Sequence, residues 1–84
     1  MAIKSGRRLV IDTSKEIPET LRDLRRLFSR YDIENYEPIP GDKDHSYAVR
    51  YLRDGQWVTI SSHIQPTKYQ NIRVVYQVIS YLFL

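Results

Sequence analysis

Apolar and polar side chains alternate most regularly in two runs, SYAVRYL at 46–52 and QWVTISS at 56–62, joined by Arg53-Asp54-Gly55. An Asp-Gly pair between alternating runs signals a two-residue hairpin loop, since both loop positions need a left-handed backbone that these residues tolerate. The loop sets the pairing: Leu52 opposite Trp57, Tyr51 opposite Val58, Arg50 opposite Thr59 and Val49 opposite Ile60. Alternate residues share a side of a pleated strand, so Tyr47, Val49, Tyr51, Val58 and Ile60 form one face and are expected in the core. The other face carries Ala48, Arg50, Leu52, Trp57 and Thr59, which puts the one tryptophan of the chain beside an arginine.

A spacing of three and four governs Ile17, Leu21, Leu24, Leu27, Phe28 and Tyr31, which predicts a helix with one core-facing stripe. Thr13-Ser14-Lys15-Glu16 has the form of a capping box at its start, and Pro18 fits a first turn. Arg22, Arg25, Arg26 and Ser29 fall on the opposite side. Ahead of this helix, Arg8 to Asp12 reads as a short strand. Asp32 to Ser46, with Pro38, Pro40, Gly41 and five acidic residues, reads as a surface loop with room for an extended piece at Tyr36 to Ile39.

Pro66 marks the start of a second helix, with Gln65 or Thr67 near its cap. The run IRVVYQVISYLFL is rich in strand-favouring residues, yet Gln70, Arg73, Gln77 and Ser80 recur by three and four, which strand alternation does not produce. This helix is expected to turn Ile72, Val75, Tyr76, Ile79, Leu82 and Phe83 to the core, leaving Val74, Val78 and Tyr81 to one side. Such an apolar flank is either deeply buried or covered by another chain, a second copy included. Together the elements predict one α+β domain over residues 1–84, a small antiparallel sheet with two helices in the order β-α-β-β-α.

Composition narrows the chemistry. A chain of 84 residues buries only about 60 to 65% of its unfolded surface, too little for a deep enzyme cleft. Lack of cysteine removes disulfides, thiolate nucleophiles and cysteine zinc sites, and fits a cytoplasmic protein. Leu9-Val10-Ile11 is shorter than the roughly 7 to 15 residues of a signal-peptide core. Ile72 to Leu84 is interrupted by polar residues and shorter than the roughly 20 needed to span a bilayer, so no membrane partner is expected. Net charge is +3, with nine of thirteen basic residues arginine and five of ten acidic residues crowded between Asp32 and Asp44. The remaining surface is therefore more positive than the total implies, and arginine suits planar contact with phosphate or carboxylate.

Catalysis finds little support. Extending the hairpin register places His63 opposite Ser46 on the Trp57 side and His45 on the Tyr47 side, so the two histidines point to opposite faces. Asp42, Asp44 and His45 lack the spaced ligands of a calcium loop. The three glycines are not spaced to cradle phosphate, and no serine sits in a nucleophile elbow. No metal and no cofactor are expected.

Two surfaces remain. Arg22, Arg25, Arg26 and Arg30 on the first helix, extended by Lys4, Arg7 and Arg8, suit phosphate or carboxylate contacts; the plain alternative is a solvated helix softened by Glu19 and Asp23. Arg50 and Trp57 form an anchor if their face is open, and ordinary packing if helices cover both sides of the hairpin.

The run from Asp54-Gly55-Gln56-Trp57 through Gln65-Pro66-Thr67 to Asn71-Ile72-Arg73-Val74-Val75-Tyr76 resembles small uncharacterised bacterial and phage proteins, some carrying a J domain afterward. The resemblance covers Asp54 to Tyr76 and implies a phage-like setting, in which small proteins bind and block a larger machine. The expectation is a non-enzymatic binding module whose arginine surface engages nucleic acid, a nucleoprotein complex or an acidic protein. The alternative is a protein-interaction module, an inhibitor or a homodimer, using Val74, Val78 and Tyr81.

Overall fold

Pro18 decides where the first helix begins. A proline ring deep in a helix collides with the preceding turn, whereas in the first turn its missing amide costs nothing. The computed structural model describes residues 14–84, and in it α1 spans Ile17–Arg30 with Pro18 in its first turn. Glu16 is the cap, and Glu19 Oε1 accepts from the Glu16 amide at 2.9 Å. The helix thus starts after Glu16, later than the Thr13 to Glu16 box implies, because a start at Thr13 would carry Pro18 into the helix interior. The strand expected at Arg8 to Asp12 and the arm with Lys4, Arg7 and Arg8 lie outside the described residues.

Among the described residues, three strands form one antiparallel sheet in the order β1 (Tyr36–Pro40), β2 (Tyr47–Arg53) and β3 (Gln56–Ser62). The β2–β3 pairing has Leu52 opposite Trp57, Tyr51 opposite Val58, Arg50 opposite Thr59 and Val49 opposite Ile60, as the alternation predicts. Asp54 and Gly55 take φ of 53° and 77°, the left-handed pair that a tight hairpin loop needs. The described order is α-β-β-β-α, which corrects the expected β-α-β-β-α by one strand between the first helix and the hairpin, the expected leading strand falling outside the described residues. Its extra strand is the extended piece of the presumed Asp32–Ser46 loop.

Prolines 38 and 40 hide that strand from a sequence reading, and the ladder shows how they are tolerated. The Leu52 amide donates to the Asn35 carbonyl at 2.9 Å and the Gly41 amide to the Ser46 carbonyl at 2.8 Å. Since amides alternate in direction along an antiparallel strand, Glu37 and Ile39 point theirs at β2, while positions 36, 38 and 40 point outward. Both prolines therefore occupy outward positions of an edge strand, where no ladder bond is lost.

Both helices pack on the sheet face that carries Tyr36, Val49 and Tyr51. α2 (Lys68–Leu82) is capped by Thr67, whose Oγ1 accepts from the Gln70 amide at 3.3 Å, and it lies over β2 and β3. α1 lies beside α2, toward β1. Leu24, Leu27, Phe28, Val49, Ile72, Val75 and Ile79 fill the centre. At one end the rings of Phe28, Tyr36, Tyr51, Tyr31 and Phe83 pack with centroids 4.6 to 6.2 Å apart, and the Arg53 guanidinium covers Phe83 at 4.1 Å. Leu82, expected in this core, is 50% exposed on the far side of α2.

Two polar residues of α2 are buried. Asn71 is fully enclosed: its Oδ1 accepts from the Ser62 hydroxyl at 2.7 Å and the Gln65 amide at 3.0 Å, while its Nδ2 donates to the carbonyls of His45 at 2.7 Å and Gln65 at 3.0 Å. Arg73 lies between the helices and donates to Asp23 Oδ2 at 2.8 Å and Thr20 Oγ1 at 3.3 Å. The polar stripe Gln70, Arg73, Gln77 and Ser80 marks a helix correctly, but at Arg73 it faces α1 instead of solvent.

Candidate functional site

Arg22, Arg25, Arg26 and Arg30 are all exposed and occupy one arc of α1, opposite Leu24, Leu27 and Phe28. At 100° per residue they span about 140° with Ser29 inside the arc. The acidic residues that should soften this arc are occupied elsewhere. Glu19 caps the helix at the Glu16 amide. Asp23 gives one oxygen to the buried Arg73 at 2.8 Å and stands 3.9 Å from Arg26, whose side chain is 71% exposed. Charge from Asp23 is thus shared between the internal Arg73 and Arg26, and among the described residues Arg22, Arg25 and Arg30 have no carboxylate at ion-pair distance.

Arg22 and Arg25 also line an open groove of about 510 Å³ between α1 and β1, with Pro18, Leu21, Tyr36 and Pro38 as its other walls. A flat apolar group can lie in such a groove while an attached anion meets the guanidinium groups on its rim. Tyr36 and Pro38 reach this place because Tyr36–Pro40 pairs with β2; an extended piece at Tyr36 to Ile39 is expected from the sequence, but its pairing, and with it the groove, is not.

Arg50 and Trp57 do not join this surface. Their side chains lie on the sheet face away from both helices, and the sheet separates them from the α1 arginines. Among the described residues no helix covers that face, and Trp57 is 49% exposed. The Arg50 guanidinium stacks 4.1 Å from the Trp57 ring centre, and its Nε stands 3.3 Å from Glu37 Oε1, within ion-pair distance but off the hydrogen-bond direction. Glu37 neutralises Arg50 across β1 and β2, a partner visible only once β1 exists. This face is mixed and near neutral.

On α2, Tyr81 is 61% exposed, whereas Val74 and Val78 are half-buried. His45 and His63 are exposed and lie just outside the strands. Among the described residues, no three of the histidine and carboxylate side chains come together as a metal site. Burial raises the phenol pKa values of Tyr47 and Tyr51, Arg53 partly offsetting the effect at Tyr51; both phenols belong to the core. Among the described residues, no helix is long and apolar enough to cross a membrane. Comparison with protein-family models, curated proteins and solved structures gave no match, so a functional reading rests on this geometry alone.

Proposed function

We propose that the protein is a non-enzymatic binding module whose α1 arginines engage the phosphates of a nucleic acid, alone or within a nucleoprotein complex. One observation carries the reading: Asp23 is held by the buried Arg73 and reaches only Arg26 of the surface arginines, which leaves Arg22, Arg25 and Arg30 without a carboxylate at ion-pair distance among the described residues, in an arc of four cations. Each guanidinium offers a planar fork of donors to a phosphate. The groove beside Arg22 and Arg25 takes an unstacked base against Tyr36 and Pro38, which favours a single strand over a duplex. Arg50 and Trp57, on the other side of the sheet, have no part in this contact.

Counterion release sets the test. Four phosphate contacts predict that affinity falls about 50- to 150-fold between roughly 50 and 200 mM salt, the smaller figure for a single strand. Replacing Arg22 and Arg26 by alanine halves the number of contacts and reduces that fall to about 7- to 12-fold. Fluorescence anisotropy with labelled single-stranded and duplex oligonucleotides measures both slopes. Affinity independent of salt, or unchanged in the double variant, refutes the reading; binding to an acidic protein with none to oligonucleotides moves the same arginines to a protein partner.

A further inference from the structure

The two edges of the sheet are built differently. On β1 the outward amide positions are 36, 38 and 40, and prolines remove two of the three donors. On β3 the ladder to β2 uses positions 56, 58, 60 and 62, so the amides and carbonyls of Trp57, Thr59 and Ser61 point outward, and all three residues are exposed. Among the described residues none is paired with another strand on that side. The strand reads QWVTISS, without proline, glycine or any charge. Proteins usually guard a free edge with a lysine, a proline or a bulge, and β3 has none of these.

We propose that the β3 edge is the two-fold interface of a homodimer, in which β3 pairs antiparallel with β3 of a second copy and extends the sheet to six strands. Three features select a second copy as the occupant. A two-fold contact doubles any charge the strand carries, and one at its centre would face its own copy; Gln56–Ser62 has none, although the whole chain carries +3. The register centred on Thr59 is self-complementary, with Thr59 against Thr59 and Trp57 against Ser61, a large side chain beside a small one. The helix layer also matches. Arg73 points at α1, and Val78 and Leu82 lie about 140° and 180° round α2 from it, on the side toward the β3 edge.

Spacing supports the same arrangement. α2 lies over β2 and β3, so the two copies of α2 come to lie about two strand spacings apart, roughly 10 Å, which is the distance at which helices pack. Val78 and Leu82, the latter 50% exposed, then meet their equivalents. A seven-residue edge about 23 Å long and two layers about 20 Å deep presents a projected area on the order of 450 Å² per protomer, before side-chain relief is counted. Stable interfaces bury about 600 to 1,000 Å² per partner, so the projected area of strand and helix layers together falls just short of that range before side-chain relief is added, and the strand layer alone, about half of it, falls well below. Tyr81 and Val74 point elsewhere and lie outside the contact.

Light scattering coupled to chromatography on the full chain tests this. The wild type is expected at twice its 10.0 kDa mass, shifting to 10.0 kDa only on dilution. Thr59→Lys and Thr59→Glu each place like charges at the two-fold axis and raise the dimer dissociation constant by about tenfold or more. An equimolar mixture of the two variants restores the dimer mass, which also shows that both are folded. In the wild type, hydrogen exchange at the amides of Trp57, Thr59 and Ser61 slows as protein concentration rises. A monomer at all concentrations overturns the proposal, including one whose β3 edge pairs within its own chain. So does a dimer that both variants retain. Arg22→Ala with Arg26→Ala leaves the dimer mass unchanged, so this proposal and the nucleic-acid reading fail separately.

Discussion

Replacing Asn71 by alanine should destabilise the protein more than any single change on its surface. The side chain is fully buried and makes four hydrogen bonds that tie α2 to the end of β3, to the connection at Gln65 and to the β1–β2 loop at His45. Alanine leaves the Ser62 hydroxyl, the Gln65 amide and two carbonyls without this partner. Each lost bond is worth about 1 kcal/mol, and more where water cannot enter, as at the buried Ser62; the exposed neighbours His45 and Ile64 let water reach some of the others. Better helix propensity returns about 0.5 kcal/mol, for a net loss of about 3 kcal/mol out of a typical 5 to 15. Urea denaturation of wild type and variant, with equal slopes, measures this directly. Asn71→Asp sharpens the test. It retains the oxygen that accepts from Ser62 and Gln65 but turns a carboxylate oxygen toward the carbonyls of His45 and Gln65, so the neutral acid is favoured in the folded state and its pKa rises there. The penalty of Asn71→Asp is therefore smallest below the free aspartate value of about 3.9 and grows as pH climbs above it. A loss under about 1 kcal/mol for Asn71→Ala, or an Asn71→Asp penalty that shrinks with rising pH, refutes the hub.

The other expectations concern charges the fold commits to particular partners. Asp23→Ala strands a buried guanidinium and should cost about 3 kcal/mol, whereas Arg73→Met leaves a carboxylate that water still reaches and costs about 1 to 2; the double variant costs less than the sum, by urea denaturation. Single penalties that simply add in the double variant would show that the pair does not hold the helices together. The Asp44 carboxylate accepts from the Ser46 hydroxyl at 2.6 Å and the Ser46 amide at 3.0 Å, which holds its pKa below the ordinary 3.8, with His45 and Lys68 adding smaller pulls. A depressed folded pKa contributes above the unfolded value and is lost as pH falls through the folded one, so the β1–β2 loop should loosen only in strong acid. Carbon-detected NMR titration should find Asp44 returning toward 3.8 in Ser46→Ala, and no movement would show that Ser46 is not the cause.

Elements built from neighbours in the chain were legible in the sequence. Asp54-Gly55 and strict alternation set every pair of the β2–β3 hairpin, because turn geometry and the two-residue period act over a few positions and any slip would exchange its faces. The arc of α1 arginines, and Thr67 as one of two caps considered for α2, were read by the same local rules. Partners distant in the chain decided the rest. Tyr36–Pro40 has no strand pattern and becomes one because β2 offers it an edge where two prolines lose nothing. Asn71 and Arg73 look like solvent-facing letters in a helix, yet their partners include His45, 26 residues away, and Asp23, 50 residues away. Packing both helices on one face left Trp57 uncovered and carried Arg50 away from the α1 arginines. Periodicity reports which face of an element is apolar; what lies against that face is settled only when the elements meet.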